Sequence, residues 1–299
     1  MKVERHLDRV FAPVEGAALV GAGLVVGALV GGAPGALVGG LAGGAGAFAR
    51  WKNVGGRESR RRAILSSPFP VAWRDFLLDN YDHYHRLPPD LRRRFEDDVR
   101  IFMAETRMTG VEAKVTRELK LLVAASAVTL SVGWPDYEWD QLSEVLLYRK
   151  SFGRDDYSFR SAELAGQTDP WGTVILSIPS LRKSFADPDD GHHVGIHEFA
   201  HLLELETLPF SGIPPGLAPA RRREWEGLIG KEMDRLRGGD SVIDEYGASS
   251  PIEFMAVAVE TFFEPALELR ERHPEIYAVL AEYFRQDPAA WDDARGLRL

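Results

Sequence analysis

The stretch that most constrains this chain is Val194 to Leu203, which reads V-G-I-H-E-F-A-H-L-L. Val194, Ile196, Phe199, Ala200, Leu202 and Leu203 surround three polar residues, the pattern of a helix buried except along one strip that lines a cleft. On such a helix His197 and His201, four apart, leave the same face one turn apart, so both imidazoles can close on a single metal ion. Glu198 follows the first histidine directly. It points to the side of such an ion, where it can take a proton from water without occupying a coordination position. The fold must bring this helix into a core and leave its polar strip open.

Composition narrows what the rest can be. A chain of 299 residues that is 45% hydrophobic can bury one substantial core or two smaller ones. A net charge of −9 leaves no basic surplus to neutralise phosphates, which argues against a general nucleic-acid binder. With no cysteine, disulfides, thiolate metal sites and a thiol nucleophile are all excluded. Any metal must be held by histidine and carboxylate.

The amino-terminal sixty residues have a different texture. Lys2, Arg5 and Arg9 precede a run from Gly16 to Ala49 that contains no charged residue, the signature of membrane contact. Gly23, Gly27, Gly31, Gly35, Gly39 and Gly43 recur every four residues and form a stripe on which helix backbones can approach closely. Pro34-Gly35 near the middle predicts two short helices of about 15 residues each, marginal for a full crossing. A glycine-zipper hairpin that dips into or crosses the membrane competes with a single kinked span and with a flexible low-complexity segment. Arg50, Lys52, Arg57, Arg60, Arg61 and Arg62 follow the run, so basic residues flank both ends. Both ends then prefer the cytoplasm, which favours the hairpin and places the rest of the chain at the cytoplasmic face of the inner membrane. The long leader, with its acidic residues, fits a cleaved signal peptide poorly. The expected division is a membrane-associated leader over 1–60 and a catalytic domain over 61–299.

From Ala63 to Val132 the pattern is helical. Pro88-Pro89-Asp90 starts one helix, with Leu91, Phe95, Val99, Phe102 and Met103 on one face, and Thr116 caps a second that runs to Leu130. Trp73, Tyr81, Tyr84, Phe95 and Phe102 are expected in the core, and His83 and His85 on the surface. Two β-like runs follow, Glu144 to Tyr148 and Gly172 to Ile178, the second either an edge strand that could pair with an extended substrate or an interior strand. Asp187 to Gly191 is turn chemistry leading into the metal helix. His192 and His193 are set aside as ligands, because adjacent side chains on a helix diverge by about 100°. Leu208 to Pro219 reads as a surface loop over the cleft and Arg221 to Arg237 as a charged helix, solvated on one side. Ser250 and Pro251 then open a helix carrying Glu253 and Glu260, seven apart and on nearly the same face. Spacing leaves both open as the third ligand.

The blocks H-E-F-A-H-L-L-E and D-E-Y-G-A-S-S-P-I-E-F-M-A-V-A-V-E-T-F-F-E-P resemble the Mlc titration factor A family of zinc aminopeptidases, gluzincins related to the lethal factor catalytic domain. The resemblance runs from about Ala63 to the C-terminal P-E-I-Y-A-V-L-A-E-Y-F-R-Q-D-P, specific in the two blocks and loose elsewhere. It implies an α+β, mainly helical, zincin-like metallopeptidase domain that holds Zn2+ through His197, His201 and Glu253. It further implies that Glu198 serves as the base, that Tyr246 donates a hydrogen bond to the oxyanion, and that Glu260 orients a ligand or a substrate amine. The implied partners are a peptide substrate and a transcriptional regulator; capture of a repressor with hydrolysis secondary or absent is the competing function. A membrane scaffold with a merely structural metal site is a third. Two departures stand out: Glu204 replaces the family's usual aspartate, and the glycine-zipper leader is not part of the family core.

Overall fold

The computed structural model describes residues 6–135, 137–150, 172–205, 211–239 and 241–294. The chain divides into two compact units, Met1–Pro68 and Phe69–Leu299.

The first unit is the helix α1 (His6–Leu65), interrupted where Gly31 (φ −137°, ψ 16°) and Gly32 (φ 62°, ψ −147°) leave helical geometry. The chain reverses there, and the two arms meet through their glycines. A Cβ placed on Gly23 would overlap the carbonyl of Gly39, and one on Gly27 that of Gly35. The reversal therefore falls at Gly31-Gly32, not at Pro34-Gly35. Gly32 takes a positive φ that only glycine adopts without strain, whereas Pro34 is tolerated in the first turn of the returning arm and Gly35 is used for contact. The outer surface is aliphatic, with Leu29 81% and Val30 85% exposed. Ala17–Phe48 is apolar enough in length and composition to enter a membrane.

The second unit begins with α2 (Val71–Asn80), α3 (Asp82–Arg86) and α4 (Pro89–Glu105), followed by β1 (Met108–Val111), α5 (Arg117–Ser131), β2 (Glu144–Tyr148) and β3 (Thr173–Ser177). Next come α6 (Ile178–Ala186), α7 (Val194–Glu204), α8 (Pro219–Arg237), a 3-10 turn (Glu245–Ala248) and α9 (Pro251–Phe263). The short helices α10 (Ala266–Arg272), α11 (Pro274–Phe284) and α12 (Pro288–Ala294) complete it. The strands form a parallel sheet in the order β1-β2-β3, with Met108 opposite Val145 and Val145 opposite Val174. Among the described residues β3 pairs with β2 alone.

α5 is the central support. Thr116 Oγ1 accepts the Leu119 N–H at its start, and from Leu121 to Ser131 every residue is buried. α7 packs on it so closely that a Cβ on Gly195 would overlap Ser126 Oγ. α7 also packs against α9 and β3, which surrounds the metal helix on several sides.

Three expectations need correction. The stretch from Ala63 to Val132 is not wholly helical, because Met108–Val111 leaves α4 and joins the sheet as β1. His83 is buried, not on the surface; its ring lies edge-on to Phe263 at 5.3 Å and tilted against Trp291 at 5.8 Å, whereas His85 is exposed. Tyr81, Tyr84, Phe95 and Phe102 are core residues, and Trp73 is half-exposed. Of the predicted loop, residues 208–210 lie outside the described residues.

Candidate metal centre

α7 carries its chemistry on one strip. Ile196, Phe199, Ala200, Leu202 and Leu203 are buried, and the N-terminus is capped by His193, whose Nδ1 accepts the Ile196 N–H at 3.2 Å. One turn in, the Nε2 atoms of His197 and His201 lie 3.0 Å apart.

Glu253 enters from the first turn of α9, where Ser250 Oγ accepts its N–H at 3.2 Å and Pro251 fills a position that needs no donor. Its Oε2 is 3.2 Å from His197 Nε2 and 3.4 Å from His201 Nε2. Three donor atoms thus form a nearly equilateral triangle, and Glu253 Oε2 is buried without a well-aligned hydrogen-bond donor. Bond lengths of about 2.0–2.1 Å at a tetrahedral ion put its ligand atoms roughly 3.3 Å apart, so the triangle matches one face of such a site. Two imidazoles and a carboxylate are also the donor set expected for a divalent transition ion.

Glu260, two turns further along α9, takes a different position from Glu253. Its Oε1 lies 2.7 Å from His197 Nδ1, and its Oε2 accepts the backbone N–H of His193 at 2.6 Å. The two glutamates that spacing could not separate therefore face opposite nitrogens of one imidazole. Glu204, buried at the end of α7, has Oε2 3.7 Å from His201 Nδ1. His197 thus has a hydrogen-bonded carboxylate on its far nitrogen, which favours the tautomer that presents Nε2 to a cation, while Glu204 places a second negative charge near the far nitrogen of His201.

The carboxylates dominate the electrostatics. Burial disfavours the imidazolium, yet Glu260 and Glu253 outweigh it at His197 and push its pKa up to about 10. Burial is likewise overcome at His201, where Glu204 and Glu253 raise it to about 9. Burial works to raise the Glu253 carboxyl, but the two imidazoles hold it well below the usual range. The cluster therefore seeks positive charge, supplied either by protons on the rings or by a cation that displaces them. Glu198 is buried beside the triangle without joining it, and burial raises its pKa against the pull of both histidines.

Tyr246 sits in the 3-10 turn, held there by Asp244 Oδ1, which accepts its N–H at 2.9 Å; the Tyr246 and His197 ring centres are 6.4 Å apart. Asp244 also faces His192 across 3.5 Å, joining this turn to the loop that enters α7. His192 and His193 are not part of the triangle. Burial lowers the His193 pKa to about 4 and keeps the ring neutral as the cap of α7. Histidine is an uncommon cap, so the sequence carried no signal for that role.

Residues 56–285 match the family described as glucose-regulated metallo-peptidase M90, a span that leaves Gly16 to Ala49 outside it. An uncharacterized protein of Synechocystis sp. is 29% identical over 244 residues, 77% of this chain and 89% of that protein. Mlc titration factor A of Edwardsiella ictaluri is 33% identical over 205 residues, covering 62% of this chain and 74% of its own length. The protein of the same name from Yersinia enterocolitica is 32% identical over 188 residues, with 58% and 68% covered.

Proposed function

Because the chain belongs to the glucose-regulated metallo-peptidase M90 family, we propose that it is a zinc-dependent peptidase of the H-E-x-x-H…E type, acting as an aminopeptidase. The observation that carries this reading is the triangle of His197 Nε2, His201 Nε2 and Glu253 Oε2. His197, His201 and Glu253 would hold the zinc, which when bound would supply Lewis acidity toward a carbonyl oxygen and toward water.

The chain's own residues do the rest. Glu198, a carboxyl with a pKa raised by burial, takes the proton of the attacking water and returns it to the leaving amine. Tyr246 donates a hydrogen bond to the oxygen that gains charge as the carbonyl carbon becomes tetrahedral. Glu260 holds the far nitrogen of His197, Glu204 lies beside that of His201, and β3 offers an extended peptide a strand to pair with.

We infer attachment to the cytoplasmic face of the inner membrane through residues 16–49: the apolar hairpin supports membrane contact, and the basic residues on both flanks support that side. A second reading, capture of a transcriptional regulator, is favoured by the relatives named Mlc titration factor A.

One pair of measurements separates the two. Purified Glu198→Gln is expected to keep its metal while losing cleavage of chromogenic aminoacyl substrates and internally quenched peptides, and His201→Ala or Glu253→Ala is expected to lose the metal. Undiminished turnover by Glu198→Gln would rule out the peptidase mechanism. Partner capture that survives Glu198→Gln would show that regulator binding does not depend on hydrolysis.

A further inference from the structure

A second run of close side-chain contacts joins residues that take no part in the metal triangle, drawn from α8, the loop that follows it and the residue before α11. Ser241 follows α8, His273 precedes α11, and Glu232 lies within α8. His273 Nε2 is 2.9 Å from Ser241 Oγ, and His273 Nδ1 is 2.8 Å from Glu232 Oε2. We propose that Ser241, His273 and Glu232 form a metal-independent acyl-transfer site, with Ser241 as nucleophile, for carboxylic esters bearing a small, non-anionic acyl group.

Geometry meets the requirements of a nucleophile, a base and a group that orients the base. Both contacts fall within the range that joins a serine to its histidine and the histidine to its carboxylate in such constellations, which are recognised by roles and not by chain order. The His273 side chain is 0% exposed. Burial lowers its pKa against the pull of Glu232, so near neutrality the ring is uncharged and Nε2 can accept a proton. The Nδ1–H is not squarely aligned with the carboxylate, a slack that unliganded acid–base pairs commonly show. Arg235 Nη1 lies 3.1 Å from Glu232 Oε1 and steadies it. The Ile243 N–H donates to Ser241 Oγ at 3.1 Å, favouring negative charge on that oxygen.

Access is provided by a cleft of about 320 Å³ with Ser241 in its wall. Leu236, Val242 and Ile243 give it an apolar side, while Asp190, Asp244 and Glu245 repel an anionic acyl group. In the reaction Ser241 Oγ bonds to the ester carbonyl carbon as its proton passes to His273 Nε2. Collapse breaks the bond to the alcohol, which leaves with that proton. Water then attacks the acyl-serine, gives its proton to His273, and releases the carboxylic acid as the proton returns to Ser241. Ester and water become acid and alcohol, with no redox partner required.

A purely structural hydrogen bond would show the same distances, so the test must read reactivity. A short-chain alkyl fluorophosphonate is applied to the full chain after chelator treatment, and the adduct is mapped by mass spectrometry. One adduct is expected on Ser241, formed at the same rate in Glu198→Gln, absent in Ser241→Ala, and slowed about a hundredfold in His273→Gln. Since replacing a buried histidine can unfold the chain, a second variant reads the same pair. Ser241→Cys creates a single thiol in a chain with no cysteine. Its alkylation by iodoacetamide is expected to stay fast well below the free-thiol pKa of about 8.5. Native protein that labels no faster than Ser241→Ala, or a Ser241→Cys thiol that titrates like a free one, overturns the proposal.

Discussion

At the metal centre four carboxyl groups, Glu198, Glu204, Glu253 and Glu260, crowd two imidazoles, Glu253 lying between both rings and Glu260 behind His197. Glu260 makes the shortest contact to a proposed ligand, 2.7 Å to His197 Nδ1, and also holds the His193 N–H where α7 begins. Glu260→Gln keeps the three donors of the triangle but removes the charge that orients one of them. Metal affinity is expected to fall about 10–100-fold in competition with a chromogenic chelator. Unchanged affinity would mean that Glu260 does not support the ligand. His83 gives a residue-scale prediction of another kind. Burial, with the nearby Arg86 charge, lowers its pKa well below the ordinary imidazole value, so the folded chain resists protonating it. Above the unfolded pKa of about 6.5 the ring is neutral in both states and stability is unaffected. As pH falls below that value the unfolded chain binds a proton that the folded chain does not, and stability is lost at up to about 1.4 kcal/mol per pH unit. His83→Phe is expected to flatten this acid-side loss in denaturant melts between about pH 6.5 and 5, and an unchanged slope would contradict the assignment.

At the scale of elements, the metal helix is held in place by close approach. Gly195 meets Ser126 on α5 with no room for a methyl group, and the Ser126 hydroxyl is committed to the Leu122 carbonyl. Gly195→Ala is expected to move α7 off α5, destabilising the fold by about 1–3 kcal/mol and weakening metal binding by shifting both histidines relative to Glu253. Thermal melting with and without added zinc checks both effects, and a stabilised variant would contradict the packing. Much of this centre was legible beforehand because it is local: His197 and His201 sit one turn apart whatever surrounds them. Glu253 and Glu260 could not be ranked, since two turns of helix leave them on one face about 10.5 Å apart along the axis. Only the crossing of α9 against α7 decides which reaches the Nε2 pair. His83 misled for the same reason, because the rings that bury it, Phe263 and Trp291, come from α9 and α12 far along the chain. β1 is four residues long, with every position half-exposed, so it carries almost no alternation to read. In the first unit proline was the more visible breaker, but Pro34 fits a helix start and the chain turns at Gly32.

For the whole molecule, the two units differ in solvent preference: one is an aliphatic hairpin with its surface open, the other a packed domain with charge on the outside. The reversal at Gly31-Gly32 leaves the final carbonyls of one arm and the first N–H groups of the next without helical partners, and hydrocarbon cannot supply any. The arms between the charged flanks and the turn, residues 16–30 and 33–49, are 15 and 17 residues long, or roughly 22 and 25 Å of helix, less than the hydrocarbon thickness. A small thinning of the bilayer costs only fractions of a kcal/mol per Å, less than burying several orphan backbone groups. For a hairpin that enters a bilayer as proposed above, the balance favours a turn that reaches the opposite interface while both ends stay together, with the glycine stripe consumed between its own arms. The absence of cysteine makes this directly measurable. Single-cysteine variants Ala33→Cys and Ser66→Cys in sealed vesicles are expected to react with a membrane-impermeant maleimide from opposite sides, Ala33→Cys from the extracytoplasmic one. Labelling of both from the cytoplasmic side alone would mean that the hairpin only lies in one leaflet, and release of the protein by alkaline carbonate would mean that it does not insert.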